Sequence, residues 1–159
     1  MAFATLGCKV NQYDTETMAT MFREAGYEVV PFDESADVYV VNTCTVTSTG
    51  DKKSRQMWRR AVSSNPSAIV VATGCYAQGN SDDVRNIDGV DIVTGTKDRK
   101  DVVRLVEEAV KARENVRGNE AVHKIYDAVS KLCGHLEYEE LLVDGSDERS
   151  RAYVKIEDG

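Results

Sequence analysis

Three cysteines occupy equivalent places in the sequence. Cys8, Cys44 and Cys75 each follow a short apolar run directly, in the stretches LGC, NTC and TGC. Thiolates are soft ligands for zinc and iron–sulfur clusters, and they are also nucleophiles and redox groups. A single free cysteine is often only a small apolar core residue, but three at equivalent positions argue against that interpretation. The spacing therefore favours a shared thiol site.

The sequence around the cysteines alternates between strands and helices. Its continuous β-branched runs are typical of parallel strands buried on both faces. Strands are predicted at 2–7, 27–32, 36–44, 67–75 and 90–95, and helices at 11–26, 48–63 and 97–115. This alternation predicts an α/β fold, a three-layer, open, mostly parallel sheet with helices on both faces. We expect the flavodoxin-like strand order 2-1-3-4-5, with a Rossmann-like order as the alternative.

The expected strand order brings the three thiols to one edge of the sheet. Ligands bind at the carboxyl ends of the strands in open α/β sheets, and in the order 2-1-3-4-5 the three strands that precede the cysteines are neighbours in the sheet. Neighbouring strands lie roughly 4.8 Å apart, so the first and third thiols are expected about 10 Å apart before the loops curl inward. That spread suits one iron–sulfur cluster held from three sides with one iron left open. A single tetrahedral zinc fits less well, because the sequence lacks paired CxxC or HxxxH units.

Composition limits the remaining possibilities. The chain has 159 residues, four cysteines and a net charge of −7, which predicts a soluble protein with one main core and weak or no nucleic-acid binding by itself. No apolar run is long enough to span a bilayer, and no export signal is evident. We therefore expect a cytoplasmic protein, no membrane partner, and reduced or metal-bound thiols.

Several residues lie outside the thiol pattern. The start of the helix at 48–63 carries a basic run, which we interpret as a solvated helix face, with an RNA-phosphate contact as the alternative; its members are Lys52, Lys53, Arg55, Arg59 and Arg60. Cys133 is predicted to be structural or adventitious. For His123 and His135 we expect surface or packing roles.

The chain divides into three predicted segments. Residues 1–115 form the α/β domain, 116–148 an acidic linker or excursion of unknown role, and 149–159 a final strand.

Four stretches resemble a known family. TLGCKVNQYDTE, VVNTCTVTSTGDKKSRQ, VATGCYAQ and IDGVDIVTGTKDR are similar to the N-terminal, UPF0004-type domain of radical-SAM methylthiotransferases. The resemblance covers roughly residues 3–115 and again 149–159. The KVNQ after Cys8 resembles the branch that methylthiolates N6-threonylcarbamoyladenosine in tRNA. Sister branches, which modify isopentenyladenosine in tRNA or an aspartate of a ribosomal protein, have other residues there.

The resemblance implies a function for each cysteine. Cys8, Cys44 and Cys75 would hold an auxiliary [4Fe–4S] cluster that carries the sulfur to be inserted, while Asn11 and Asn42 would shape the pocket or hydrogen-bond the cluster. In the family, the stretch resembling RAYVKIEDG leads into a CxxxCxxC motif, which binds a second [4Fe–4S] cluster with S-adenosylmethionine. This sequence stops before such a motif. We therefore expect an inactive fragment of a transferase whose substrate is tRNA and whose radical-SAM domain lies in cis.

Two alternatives remain open at this point. One is a flavodoxin-like binding module without a cluster, although the sequence has no GxGxxG or P-loop motif for a nucleotide. The other is a thiol redox protein in which Cys8 forms a disulfide with Cys44 or Cys75, although no CxxC motif is present.

Overall fold

A parallel β-sheet forms the centre of the fold. The computed structural model describes residues 1–44, 48–115 and 126–128. In this part of the chain the sheet has the order β1-β2-β3-β4-β5, and every neighbouring pair is parallel. The strands are β1 (Ala2–Thr5), β2 (Val38–Thr43), β3 (Ile69–Gly74), β4 (Ile92–Thr94) and β5 (Tyr126–Ala128).

The observed topology agrees with the predicted flavodoxin-like order, with two differences. Residues 27–32 lie beside β1 as expected, but they contribute only one parallel bridge, between Val30 and Ala2, rather than a strand. The physical reason is Pro31, which has no N–H to continue the ladder. The second difference is β5, which extends the sheet beyond β4 within the segment predicted as an excursion.

Helices cover both faces of the sheet. They are α1 (Lys9–Glu24), α2 (Ser48–Ser64), α3 (Cys75–Gly79), α4 (Ser81–Arg85) and α5 (Val102–Asn115), with a 3₁₀ helix at Arg99–Asp101 before α5. Residues of α1 and α5 pack on one face, and residues of α2, α3 and α4 on the other. The predicted helix at 97–115 is thus a 3₁₀ turn followed by an α-helix. No helix in the described ranges combines the length and apolar character that a membrane crossing requires.

Alternate residues of β2 and β3 contribute to two separate cores. Every residue of both strands is buried, because successive side chains point to opposite faces and helices cover each face. Tyr39 and Val41 pack with Trp58 on the α2 face, whereas Val40 packs with Phe22 on the α1 face. Burial of one such large apolar side chain contributes about 1.5–3 kcal/mol. This two-sided core fixes the carboxyl edge on which the cysteines lie.

The remaining predicted features fall outside the described residues. They are Cys133, His123, His135 and the strand expected at 149–159.

Candidate functional site

The three cysteines lie at the carboxyl ends of three neighbouring parallel strands. Cys8 is the N-cap residue of α1, Cys44 directly follows β2 and Cys75 begins α3 directly after β3. Because β2 pairs in parallel with both β1 and β3, the three residues share one edge of the sheet. All three are free thiols; Cys8 is exposed, Cys75 half-buried and Cys44 buried.

Electrostatics also link the three thiols. Burial raises the pKa of Cys75, and the charges of Cys44, Cys8 and Asp14 raise it further, while a backbone hydrogen bond acts in the opposite direction. Negative charge at Cys44 or Cys8 therefore makes the Cys75 thiolate harder to form. A bound metal removes this barrier, because a coordinating thiol is deprotonated by the ion.

Gly7 lets the Cys8 loop approach the end of β2. Its φ is +128°, and a Cβ there would overlap the Cβ of Cys44 and lie 3.2 Å from its Sγ. An L side chain would therefore be strained and would push the two cysteine loops apart.

Gly74 performs the same task for the Cys75 loop. Its φ is +95°, and a Cβ there would overlap the Asn42 Oδ1 atom and the Thr43 carbonyl oxygen. A glycine therefore precedes each of the two thiols that flank Cys44, because both loops lie close to the end of β2.

Asn11 ties the first two cysteine loops together. Its Nδ2 donates hydrogen bonds of 3.1 Å to the carbonyl oxygens of both Leu6 and Thr43, and the Cys8 thiol donates to its Oδ1 across 3.7 Å. The side chain is only 2% exposed. Asn11 thus contacts Cys8, and its other two contacts hold the loops that carry Cys8 and Cys44.

Asn42 lies beneath the same loops. Its Nδ2 donates to the backbone oxygen of Asn11 at 3.0 Å and to Thr15 Oγ1 at 3.1 Å. Its Oδ1 is buried, has no hydrogen-bond partner in the described structure, and lies against Gly74. Asn42 therefore packs between the β1 and β3 sides of the site.

Sequence reasoning missed two residues that fix the loop after β4. Gln78 of α3 accepts a hydrogen bond from the Thr96 backbone N–H at 3.1 Å, and Asp98 accepts one from the Gly95 N–H at 3.2 Å. The Gln78 contact attaches the TGT loop to the helix that begins with Cys75, and the Asp98 contact holds the loop in its own conformation. Gln78 lies in the stretch GCYAQ and Asp98 in the stretch TGTKD. Both stretches belong to the segments that resemble the family, and this was the signal in the sequence that could have identified the two residues.

A buried ion pair near the thiols was also missed. Arg99 Nη1 lies 2.5 Å from Asp14 Oδ2, and the two side chains are 4% and 10% exposed. The signal in the sequence was a carboxylate on the apolar face of α1, between Asn11 and Met18.

The predicted basic run forms an exposed face of α2. Lys52, Lys53 and Arg59 are exposed, Arg60 pairs with Asp33 at 2.5 Å, and Arg55 approaches Asp83 at 4.0 Å. These positions fit the predicted solvated helix face.

The arrangement of the three cysteine thiols favours an iron–sulfur cluster over a single zinc ion. Among residues 1–44, 48–115 and 126–128, no group of three Cys, His, Asp or Glu residues could hold a single metal ion. A tetrahedral zinc with Zn–S bonds of about 2.3 Å requires closely clustered sulfurs. A four-iron cluster is bound through irons at different corners, so its cysteines are spread more widely. Three thiols on three adjacent strand ends fit the second arrangement better.

Comparison with known proteins identifies related sequences. The profile of the uncharacterized protein family UPF0004 matches residues 1–95. The threonylcarbamoyladenosine tRNA methylthiotransferase MtaB of Bacillus subtilis is 46% identical over 159 residues, which is 100% of this chain and 33% of that protein. The protein of the same name from Aquifex aeolicus is 49% identical over 114 residues, 72% of this chain and 28% of that protein.

A relative with another named substrate is also similar. The ribosomal protein uS12 methylthiotransferase RimO of Pseudomonas putida is 38% identical over 117 residues, 72% of this chain and 26% of that protein. The chain thus spans about a third or less of the length of these relatives.

Proposed function

Since this chain belongs to the UPF0004 family, we propose that it is the N-terminal part of a tRNA methylthiotransferase acting on N6-threonylcarbamoyladenosine. Two relatives named for this activity, those of Bacillus subtilis and Aquifex aeolicus, are 46% and 49% identical to the chain, against 38% for the relative named for ribosomal protein uS12. That difference supports the tRNA branch. The KVNQ sequence directly after Cys8 resembles that branch of the family and supports the same assignment independently.

Within that enzyme, Cys8, Cys44 and Cys75 are the ligands of an auxiliary [4Fe–4S] cluster. The observation that carries this proposal is the placement of three thiols at the ends of three adjacent parallel strands. When bound, such a cluster supplies an iron site, left open by the three-cysteine ligation, for the sulfur that is inserted into the adenosine. We infer that the second cluster and S-adenosylmethionine are held by a radical-SAM domain in cis, outside the 159 residues of this chain.

In this proposal the cysteines differ in their exposure to solvent, and Asn11 holds their loops in place. Cys8 is exposed and Cys44 is buried, so Cys8 is the more accessible of these two ligands. Asn11 holds the two loops at a fixed separation through its bonds to Leu6 and Thr43. Because tRNA modification is the proposed reaction, we also infer a cytoplasmic location.

Anaerobic reconstitution with iron and sulfide tests the ligand assignment. We expect about four irons and four sulfides per chain, with the visible and Mössbauer spectra of a [4Fe–4S] cluster. Cys8→Ala, Cys44→Ala and Cys75→Ala should each lose most of the iron, and Cys133→Ala is the matched control that should retain it. No iron uptake by the wild-type chain would overturn the proposal in favour of a cluster-free binding or redox module. Loss of the cluster in Cys133→Ala alone would overturn the ligand set.

A further inference from the structure

We propose that Cys8 and Cys44 form a disulfide when the chain holds no cluster, and that this bond closes the thiol site until it is reduced. The oxidant is a low-molecular-weight disulfide such as glutathione disulfide. Formation of the bond requires only the two thiols, whereas its effect on cluster loading rests on the proposed function. The third cysteine, Cys75, stays a free thiol in the oxidised chain.

The Cys44 side chain lies against the loop that carries Cys8. A Cβ on Gly7, the residue directly before Cys8, would overlap the Cys44 Cβ and lie 3.2 Å from its Sγ. The ladder between β1 and β2 also continues to Leu6, whose N–H donates to the Asn42 carbonyl oxygen at 2.8 Å. Gly7 therefore comes opposite Cys44, and the next residue of the loop is Cys8.

The amide of Asn11 keeps these two loops together. Its Nδ2 donates 3.1 Å hydrogen bonds to the carbonyl oxygens of Leu6 and Thr43, and its Oδ1 accepts from the Cys8 thiol across 3.7 Å. To form the disulfide, the Cys8 side chain must leave this contact and turn toward Cys44. Exposed side chains change rotamer within picoseconds to nanoseconds, so an exposed thiol is suited to that movement.

Cys75 is the alternative partner of Cys44, and the contacts disfavour it. Cys8 caps α1, which packs on one face of the sheet, whereas Cys75 begins α3, which packs on the other. A Cβ on Gly74, the residue before Cys75, would have its three nearest atoms in β2 residues that precede Cys44. At Gly7, by contrast, the Cys44 side chain itself supplies two of the three nearest atoms. Cys8 is therefore the favoured partner.

The difference in exposure sets the order of the chemical steps. Because Cys8 is exposed and Cys44 is buried, the Cys8 thiolate attacks one sulfur of glutathione disulfide. A mixed disulfide forms, the S–S bond of the oxidant breaks, and one glutathione leaves as the thiolate. The Cys44 thiolate then attacks the Cys8 sulfur, and the second glutathione leaves. The two protein thiols lose two electrons and two protons, which the two glutathione molecules carry away.

The disulfide removes two of the three proposed cluster ligands. Iron is bound by thiolates, and the oxidised chain retains only Cys75 at this edge of the sheet. The oxidised chain should therefore take up little iron, and reduction by a dithiol should restore loading. The redox state of the Cys8–Cys44 pair thus decides when the site can be filled.

Peptide mapping tests which thiols are joined. The reduced, cluster-free 159-residue chain is treated with glutathione disulfide in the absence of metal and oxygen, and its peptides are analysed by mass spectrometry without reduction. We expect the peptide that contains Cys8 to be joined to the peptide that contains Cys44. Cys75→Ser is the matched control and should form the same bond. Cys44→Ser should instead retain glutathione on Cys8, because the second attacking thiol is missing.

Iron uptake, measured before and after oxidation, separates this inference from the proposed function. The oxidised wild-type chain should lose most of its iron uptake, and dithiothreitol should restore it. A main product that joins Cys75 to either other cysteine, or a chain without an internal disulfide, overturns the inference and leaves the cluster assignment intact. Equal iron uptake by the oxidised and reduced chains overturns the closing of the site. If the reduced chain takes up no iron, the proposed function fails, while the peptide map still decides whether the Cys8–Cys44 bond forms.

Discussion

The side-chain amide of Asn11 donates a 3.1 Å hydrogen bond to the Thr43 carbonyl, the last carbonyl before Cys44. The same nitrogen donates to Leu6, so one amide group joins the loops of two proposed ligands. A shift of either loop would leave a buried carbonyl without its partner. The spacing of Cys8 and Cys44 is therefore fixed by the protein before any cluster binds.

Substitution of Asn11 by alanine should weaken the fold and the site together. The change removes a donor from two backbone carbonyls, and each buried group left unsatisfied costs about 1–3 kcal/mol. Urea unfolding of the wild type and the variant measures the loss. Asn86→Ala is the control: Asn86 makes a similar side-chain bond to Asp82 on the surface, so its loss should stay within about 0.5 kcal/mol. Equal losses in the two variants would contradict the assigned task of Asn11.

Gly74→Ala should destabilise the chain and reduce iron uptake. Gly74 has a φ of +95° and no room for a Cβ beside Asn42 and Thr43, and such strain costs of order 1–3 kcal/mol. Gly79→Ala is the matched control in α3, where a Cβ would meet nothing within 4 Å. That variant should be neutral or more stable by about 0.4–1 kcal/mol, because alanine reduces the entropy of the unfolded chain. Thermal unfolding and iron content, measured on both variants, check the prediction; an unaffected Gly74→Ala would show that the loop can move.

The 159-residue chain should not methylthiolate tRNA when supplied with S-adenosylmethionine and a reductant. Its sequence contains no CxxxCxxC motif to hold the cluster that generates the radical. Mass spectrometry of nucleosides from treated tRNA measures the product, with a full-length relative as the positive control. Product made by the chain itself would show that the radical chemistry has another source.

Binding of tRNA to the chain should be weak and sensitive to salt. With a net charge of −7, we expect a dissociation constant in the non-specific range of about 10⁻⁴ to 10⁻⁶ M at physiological salt. Fluorescence anisotropy across a salt series measures it. Lys52→Glu with Lys53→Glu should weaken binding further if the exposed basic face of α2 supplies the contacts. A nanomolar complex that persists at high salt would contradict the prediction.

The strands that carry the cysteines could be predicted because their signal is local. The runs before Cys44 and Cys75 are continuous and apolar, and both strands are buried along their whole length. The shared edge then followed from the rule that ligands bind at the carboxyl ends of parallel strands. The local pattern agrees with the tertiary structure here, because helices on both faces favour apolar residues along most of each strand, and only the ends of the strands carry the buried polar residues Asn42, Thr43 and Thr73.

Other features depend on pairings that no local pattern reveals. Asp14 and Arg99 meet only after α1 packs near the β4 loop, and a lone carboxylate on a helix does not identify its partner. The strand β5 is three residues long and pairs with β4 through its backbone, so it is too short to show an alternating pattern. Residues 27–32 have strand-like composition, but Pro31 limits them to a single bridge.

That bridge also covers part of the outer edge of β1. An uncovered outer edge of β1 would present unpaired backbone groups to the edge of another molecule, which is a route to aggregation. Val30 donates to the Met1 carbonyl at 2.8 Å, and Pro31 beside it offers no donor to an incoming strand. The segment therefore blocks this edge without forming a full strand that could itself serve as a template for polymerisation.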